Sequence, residues 1–280
     1  MAKEENKKEE LEIYKKYEKI EKIGQGAFGI IYKARNRETK ELVAIKEIPL
    51  IELENMNLKE ETEKEIKFMQ IFNNNNNSVK IYDKYEQNNT MFIVMDLCDG
   101  DLSKYLENSE NGFSIYEIKV IFKQLNNILY EIRSKDMIHN DLKIQNLLIK
   151  FKNDFKGFDV KLTDYGLAKL ISTKKNLKDN KWGLKPFTNE NIENVYIVEK
   201  SDLFVLGIDI FNLLFKGTEK SLEEYYEKIE KSVKDDDLKD LLKKLIVIDA
   251  HKRIDWNDYF NHPFFNIDEI DFDKIENIKK

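Results

Sequence analysis

The residues best suited to chemistry lie in one short stretch near the middle of the chain, Met137 to Lys150, which reads MIHNDLKIQNLLIK. Asp141 carries a carboxylate that can accept a proton from a hydroxyl group. Asn146 offers an amide oxygen, an atom that binds divalent cations such as Mg2+. Asp164, in the later stretch TDYGLAK, follows a short strand-like segment and can bind the same cation. These residue types predict proton transfer beside a metal ion.

A glycine-rich stretch near the N-terminus suits the binding of phosphate groups. The sequence GQGAFGII contains Gly24, Gly26 and Gly29. Glycine lets backbone N–H groups approach a phosphate where a Cβ atom would stand in the way. The motif is weak by itself. It joins two predicted strands, whereas a dinucleotide-binding fold would place it at the start of a helix.

Lys46 ends the apolar stretch VAIK, 17 residues after the last of these glycines. Taken alone, a lysine in this place is most simply a strand-edge residue that favours solubility. The alternative is a ligand for the α- and β-phosphates of a nucleotide, which would need a carboxylate to fix it. Glu65 directly precedes the apolar Ile66 on the next predicted helix and can point inward to do so.

The elements that must position these residues change in character along the chain. Apolar runs with turn residues between them predict strands in KIEKIG, GIIYKARN, ELVAIKEI, VKIYDKYE and TMFIVMDL. One helix is predicted in ENMNLKEETEKEIKFMQIF, with Ile66, Met69 and Ile71 toward a core, and NNNNN at 73–77 is interpreted as a solvated loop. After Gly100 helical patterns prevail, interrupted by a strand pair in NLLIK and DVKLTD.

Composition excludes several classes of protein. With 280 residues the chain can bury a sizeable core, and its net charge of −6 argues against bulk binding of nucleic acid. Cys98 is the single cysteine, so no internal disulfide can form and a reducing compartment is expected. No apolar stretch reaches the ~20 residues of a membrane helix. The charged start MAKEENKKEE carries no apolar signal region, which predicts a cytoplasmic protein.

The glycine loop, strand lysine, helix glutamate, Asp-to-Asn loop and Asp-x-Gly occur in one fixed order, each in a fitting element. In this order the chain resembles the eukaryotic protein kinase family over about residues 17–265. The resemblance implies an α+β fold of two lobes, strand-rich at 17–97 and mostly helical at 98–265. A charged arm at 1–16, a frayed helix or disordered, precedes the lobes, and a short tail at 266–280 follows them.

Within the family, DLKIQN is similar to the serine/threonine kinases, and VMDLCDGDLSKYL and YFNHPFF look more faintly like the autophagy-initiating group. The implied ligands are ATP and Mg2+, and the implied partner is a protein substrate with a serine or threonine hydroxyl. The matching catalytic residues are the base Asp141, the phosphate-bridging Lys143 and the ion pair Lys46–Glu65, with Asn146 and Asp164 as the Mg2+ ligands.

The resemblance also assigns residues around the nucleotide. Met95 matches the gatekeeper, Asp96 to Cys98 match the hinge whose backbone would bind adenine, and Asp101 would reach the ribose. The full set of predicted nucleotide-binding residues is Gly24, Gly26, Gly29, Ile31, Ala44, Lys46, Met95, Asp96, Cys98, Asp101 and Leu148.

The C-terminal half matches the family through EKSDLFVLGIDIF and IVIDAHKRIDWNDYFNHPFF. Asp202 matches an anchoring aspartate of the central helix, and Arg253 matches a buried arginine. The family's Ala-Pro-Glu triplet is absent, but Glu190 lies 12 residues before Asp202, at a spacing that the family uses. The sequence therefore predicts a buried ion pair between Glu190 and Arg253; a surface glutamate in a polar loop is the alternative.

Two departures from the family bear on regulation. Asn140 replaces the arginine of His-Arg-Asp, which normally receives a phosphate from the activation loop. Asparagine is neutral and shorter, so we expect the base to remain while phosphate-dependent switching is weakened or lost. The activation segment STKKNLKDNKWGLKPFTNE also lacks the Gly-Thr-x-x-Tyr pattern, with Gly183 and Leu184 in its place, which predicts unusual docking of peptides.

Three functions remain open at this point. The first is an active Mg-ATP-dependent protein serine/threonine kinase, since every group that touches ATP, metal and hydroxyl is present. The second is a pseudokinase, a binding module with this fold, suggested by the altered activation segment. A small-molecule kinase on the same scaffold is a third possibility, which the protein-kinase-like C-terminal half disfavours.

Overall fold

A computed structural model describes residues 11–26, 29–152, 156–170 and 199–279. The chain divides into two compact units. The first comprises residues 1–73 and 79–98, and the second comprises residues 74–78 and 99–280. The division falls after Cys98, one residue later than the predicted boundary at 97. Among the described residues, no helix combines the length and apolar character that crossing a membrane requires.

The first unit is built on a five-stranded antiparallel sheet in the order β1-β2-β3-β5-β4. Its strands are β1 Tyr17–Gly26, β2 Gly29–Asn36, β3 Leu42–Pro49, β4 Ile81–Gln87 and β5 Thr90–Asp96, and its described helices are α1 Glu12–Lys16, α2 Leu50–Asn55 and α3 Lys59–Ile71. Ala34, Val43, Ile45, Phe92 and Val94 are buried together in a core cluster of this unit. The strands predicted from alternating apolar residues are therefore confirmed.

Two details of the first unit differ from the sequence prediction. Helix α3 begins at Lys59 rather than at Glu54 as predicted, because Asn57 takes a left-handed conformation with φ of 55° after the separate helix α2. Ile66 and Met69 are buried as predicted, but Ile71 is 48% exposed. At 100° per residue, Ile71 is turned about 140° away from Ile66, so it cannot share the buried face.

Residues before Tyr17 are also part of this core. The predicted arm ends in α1, whose Ile13 is completely buried in one cluster with Tyr17 and Ala34. The hydroxyl of Tyr14 donates a hydrogen bond to Glu47 on β3. The helical end of the arm is thus packed against the sheet.

The second unit is mostly helical. Its helices are α4 Leu102–Asn108, α5 Ile115–Ser134, α6 Ser201–Phe215, α7 Leu222–Ser232, α8 Asp236–Leu245 and α9 Trp256–Phe260, with 3-10 turns at Ile144–Asn146, Pro263–Phe265 and Phe272–Lys274. Its strands β6 Gly100–Asp101, β8 Leu147–Phe151 and β9 Phe158–Leu162 form one small sheet, and β7 Met137–Ile138 pairs with β10 Lys169–Leu170. This division into a strand-rich and a mostly helical unit confirms the predicted α+β fold.

The asparagine run at 73–77 is not the solvated loop that the sequence predicts. Asn77 is only 6% exposed, and its side chain donates to the carbonyl of Val160 on β9 at 2.8 Å. The side chain of Asn75 donates to Glu131 on α5 at 2.8 Å. Because these side-chain amides donate to a carbonyl of β9 and a carboxylate of α5, residues 74–78 are bound into the second unit.

The C-terminal tail is held by a buried carboxylate on α5. Glu117 is completely buried. Its Oε1 accepts the backbone N–H groups of Glu276 at 2.8 Å and Asn277 at 2.6 Å. Its Oε2 accepts the Ser114 N–H and the Asn277 side-chain amide, each at 2.8 Å. The Phe272 ring also packs edge-on against Phe158, so residues after 265 belong to the packed unit.

Removal of this carboxylate should destabilise the protein. Glu117→Ala leaves three part-buried backbone N–H groups, those of Ser114, Glu276 and Asn277, without their acceptor, which should cost about 3 kcal/mol of unfolding free energy. Urea unfolding followed by circular dichroism measures this loss, with the exposed Glu110→Ala as the matched control. Equal, small effects of the two substitutions would show that Glu117 does not hold the tail.

A comparison of the wild type with Glu117→Ala also tests how the stability of the protein depends on pH. Burial raises the pKa of Glu117, but hydrogen bonds from Asn277 and Ser114 outweigh it and leave the pKa below the ordinary 4.5. The stabilisation should therefore be present above pH about 4.5 and be lost as the pH falls through the lowered pKa. The wild-type protein should lose more stability over this range than Glu117→Ala.

Candidate active site

The loop that follows β7 is fixed by a carboxylate on α6. Asp202 is 3% exposed, and its Oδ2 and Oδ1 accept the backbone N–H groups of His139 and Asn140, each at 2.9 Å. Asn140 has φ of 63°, a left-handed conformation that asparagine adopts more readily than most residues. Burial raises the pKa of Asp202 to about 6, and the two N–H groups act against this rise. The anchoring role predicted for Asp202 is thus supported by its contacts.

His139 is a neutral structural residue of this loop. Its ring is completely buried, and burial lowers its pKa to about 4. Nδ1 accepts the backbone N–H of Asp141 at 3.3 Å, so the proton lies on Nε2, which donates to the carbonyl of Thr163 at 3.2 Å. The imidazole therefore ties the start of the loop to the residue before Asp164.

Asp141, Lys143 and Asn146 converge at the centre of the loop. The ammonium of Lys143 is 2.7 Å from Oδ2 of Asp141. The side-chain amide of Asn146 donates to the same oxygen at 3.0 Å and to the Asp141 carbonyl at 2.8 Å. These contacts orient the carboxylate, and they leave its Oδ1 as the atom that can accept a proton. They also direct the Asn146 NH2 group toward Asp141, so its amide oxygen is the atom suited to a cation.

Asp164 is brought next to Asn146 by the β8–β9 hairpin. Leu147 pairs with Leu162, and the N–H of Thr163 donates to the Asn146 carbonyl at 3.1 Å. Asp164 itself takes a left-handed conformation, with φ of 65°. The described ranges contain no group of three or more His, Cys, Asp or Glu side chains placed to hold a metal ion. An amide oxygen and a carboxylate nevertheless fit Mg2+, which is bound by few protein ligands together with water and phosphate oxygens.

The residue after Asp164 is a tyrosine whose hydroxyl has a partner. Tyr165 is 1% exposed, and its hydroxyl lies 3.0 Å from Oγ of the completely buried Ser78. Its ring packs edge-on against the imidazole of His139, with the centroids 5.0 Å apart. Both the ring and the hydroxyl of Tyr165 therefore have partners within the second unit.

In the first unit, the predicted phosphate loop spans the β1–β2 turn. Gly26 pairs with Gly29, and Gly24 pairs with Ile31 across the strands; residues 27 and 28 are not described. A Cβ atom on Gly29 would lie 2.3 Å from the carbonyl oxygen of Glu47, so the close approach of β2 and β3 requires glycine at this position.

Four of the predicted nucleotide-binding residues share one face of the sheet. Lys46 on β3 lies directly opposite Ile31 on β2, and Ala44 lies opposite Met95 on β5. Lys46 and Ala44 are two residues apart, and strand side chains alternate between faces, so all four side chains point to the same side. Glu65 is half-buried on α3, and its pairing with Lys46 stays a prediction.

The predicted hinge and ribose residues already have structural partners. The N–H of Asp96 donates to the Lys80 carbonyl at 2.9 Å, and its buried carboxylate accepts the Tyr82 hydroxyl at 2.7 Å. Cys98, half-buried, ends the first unit. Asp101 caps α4 by accepting the Lys104 N–H at 3.2 Å, and its backbone pairs with Leu148.

Arg253 is buried and donates to backbone carbonyls, those of Val247 at 2.9 Å, Lys200 at 2.6 Å and Ile248 at 3.0 Å. Its predicted partner Glu190 lies outside the described residues. So does the whole activation segment at 172–190, including Gly183 and Leu184.

Sequence reasoning missed one group that supports the loop. Arg133 on α5 donates to the Met137 carbonyl at 3.0 Å and pairs with Glu199, just before α6.

Comparisons with known proteins place the chain in one family. A family model described as the protein kinase domain matches residues 17–265. Cyclin-dependent kinase 9 of Danio rerio is 29% identical, over 93% of this chain and 83% of the relative. The proteins of the same name from Xenopus tropicalis and Homo sapiens are 30% and 29% identical, each over 92% of this chain and 82% of the relative. The fainter likeness to the autophagy-initiating group is not shown by these matches.

Proposed function

Since the chain belongs to the protein kinase family and is an ATP-dependent serine/threonine protein kinase, we propose that Asp141, Lys143, Asn146 and Asp164 carry its phosphoryl transfer. The observation that supports this most directly is the arrangement around Asp141. One oxygen of its carboxylate is bound by Lys143 and Asn146, at 2.7 and 3.0 Å. The other oxygen is then oriented to accept the proton of a substrate hydroxyl.

The remaining groups position and neutralise charge. Lys143 adds a positive charge beside the base, at the place where negative charge spreads over the transferred group. Asn146 and Asp164 would hold Mg2+, which would supply neutralising charge to the phosphate oxygens of ATP. In the first unit, the glycines of the β1–β2 turn and Lys46 are assigned to the phosphates, and Ile31, Ala44 and Met95 to the adenine.

The acceptor is proposed to be a serine or threonine hydroxyl of a protein, because Lys143 follows the base by two residues as in that class. A reducing, cytoplasmic location fits the single cysteine, and the net charge of −6 disfavours nucleic acid as a partner.

Substitution of the base should abolish transfer without preventing folding. Asp141→Asn removes the proton acceptor and should lower kcat by about 10²–10⁴-fold. ADP release and phosphate transfer from Mg-ATP to casein-like and basic substrates measure this loss. Asp136→Asn makes the same chemical change at an exposed residue whose left-handed backbone, with φ of 53°, asparagine tolerates, so it should leave kcat unchanged.

The outcomes separate the kinase from the pseudokinase. Transfer by the wild type and by Asp136→Asn but not by Asp141→Asn supports the proposed base. Equal transfer by Asp141→Asn would overturn it. If the wild type transferred no phosphate while Mg-ATP still raised its Tm, the chain would be a pseudokinase that binds nucleotide.

We further propose that transfer does not depend on phosphorylation of the activation segment. Among the described residues, the Asn140 side chain makes no hydrogen bond, and its backbone is held by Asp202. The loop conformation is therefore maintained without a cationic side chain at position 140, so a phosphate has no arginine there to engage.

Removal of phosphate acceptors tests this independence. Ser172→Ala and Thr173→Ala, separately and together, should retain the wild-type kcat, and so should wild-type protein treated with phosphatase and shown by mass spectrometry to carry no phosphate. Loss of transfer on phosphatase treatment, with recovery on rephosphorylation, would contradict the proposal.

A further inference from the structure

The tyrosine that follows Asp164 makes a contact that the proposed chemistry does not use. Its hydroxyl lies 3.0 Å from Oγ of Ser78, and Tyr165 and Ser78 are 1% and 0% exposed. A phenylalanine at this position would fill the same space with its ring, and its side chain would need no polar partner. The Tyr165–Ser78 hydroxyl pair therefore adds a connection that packing alone does not require.

Ser78 is a firm point of attachment, because strand β9 fixes its backbone. Its carbonyl accepts a hydrogen bond from the buried ammonium of Lys161 at 3.2 Å, and it forms a parallel β-bridge with Leu162. The preceding residue, Asn77, accepts the N–H of Leu162 at 2.8 Å and donates its side-chain amide to the carbonyl of Val160. A group bonded to the Ser78 hydroxyl is thus bonded to a fixed part of the second unit.

Asp164, a proposed Mg2+ ligand, is oriented through its backbone. Within the described part of the chain, its carboxylate makes no hydrogen bond or ion pair that would fix its direction. Its backbone is left-handed, with φ of 65°, a conformation that is uncommon for residues other than glycine. The direction of the carboxylate therefore depends on the contacts that hold its two neighbours in place.

Both neighbours of Asp164 are held. On the N-terminal side, the carbonyl of Thr163 accepts Nε2–H of His139 at 3.2 Å. On the C-terminal side, the Tyr165 ring packs edge-on against the same imidazole, with the centroids 5.0 Å apart. A hydrogen bond depends more steeply on distance and angle than ring packing does, so the bond to Ser78 is the contact that fixes the far end of the tyrosine.

We infer that the Tyr165–Ser78 hydroxyl pair is a positioning contact for phosphoryl transfer, which holds the neighbouring Asp164 in its left-handed, cation-facing conformation. This inference rests on the proposed function of Asp164. Neither hydroxyl is assigned a contact with substrate or metal; both act through the backbone of Asp164. Loss of the pair should therefore weaken the use of Mg2+ even where the stability of the fold is kept.

The test is a double-mutant cycle between the two hydroxyl groups. Tyr165→Phe and Ser78→Ala each leave one buried hydroxyl without this partner, so each should lower Tm. The double variant removes both hydroxyls and should recover most of the Tm, because exchange of both partners for apolar groups is nearly neutral. Tyr259→Phe is the matched control, since Tyr259 is also completely buried and donates to Oδ1 of Asn126 at 2.9 Å, between α9 and α5.

The rate of phosphate transfer is measured as a function of free Mg2+. The two single variants and the double variant should need about two- to tenfold more Mg2+ for half-maximal transfer, the range expected for the loss of one neutral hydrogen bond. The double variant should show this shift despite its recovered Tm, and the KM for the peptide substrate should stay at the wild-type value. Tyr259→Phe should lower Tm and leave the Mg2+ requirement unchanged.

A second readout does not need activity. Hydrogen exchange of peptides covering residues 160–170 is followed by mass spectrometry in the absence of nucleotide and Mg2+. Exchange should be faster in Tyr165→Phe and in the double variant than in the wild type, because the segment around Asp164 is less firmly held. Tyr259→Phe should exchange as the wild type does over these residues.

A wild-type Mg2+ requirement in the double variant would overturn the inference and leave the proposed function intact. An equal shift in Tyr259→Phe would also overturn it, because the shift would then follow from a general loss of stability. If the wild type transferred no phosphate, the proposed function would fail, whereas unchanged exchange in the double variant would reject the positioning role of the hydroxyl pair by itself.

Discussion

The hydrogen bonds from His139 and Asn140 to the Asp202 carboxylate are the contacts on which the candidate site depends. They connect the loop that carries Asp141 to a helix that is almost entirely buried. A carboxylate that accepts two backbone N–H groups fixes the direction of the chain at that point, because both N–H vectors must converge on it. His139 then has one accessible arrangement, with Nδ1 toward Asp141 and Nε2 toward Thr163.

A short series of contacts thereby connects α6 to the groups that would do the chemistry. Asp202 fixes the loop backbone, the loop places Asp141 beside Lys143 and Asn146, and the Asn146 carbonyl receives the N–H before Asp164. Each step is a hydrogen bond or ion pair between residues of the second unit. The Asn140 substitution is compatible with this design, because the position contributes its backbone N–H and a left-handed conformation that asparagine tolerates.

The sequence predicted the parts of the structure that depend on local pattern or on residue type. Alternating apolar residues indicated the strands, and the spacing of Asp141, Asn146 and Asp164 indicated chemistry that the hairpin geometry supports. The failures involve partners that are distant in sequence. The sequence predicts that Asn77 is a loop residue, but it contacts Val160. It predicts only a short tail at 266–280, but Glu276 and Asn277 donate to the buried Glu117.

Ile71 and Asp209 also show that hydrophobicity alone does not predict burial: one is apolar but exposed, and the other is acidic but buried. Ile71 is apolar and close to two buried residues, but its rotation about α3 exposes it. Asp209 is charged in water and interrupts an apolar helix, yet it is only 7% exposed, on the same face of α6 as the buried Asp202. In neither case does hydrophobicity decide the outcome; the angular position on the helix does, and only the folded chain defines which face is covered.

Because α6 holds the loop from within, the loop should be ordered in phosphate-free protein without nucleotide. Hydrogen exchange followed by mass spectrometry on peptides covering residues 137–147 tests this, by comparison of the wild type with Asp202→Asn. The account predicts slow exchange in the wild type and fast exchange in the variant, with peptides from β4 and β5 unchanged. Equal exchange of the loop in both proteins would contradict it.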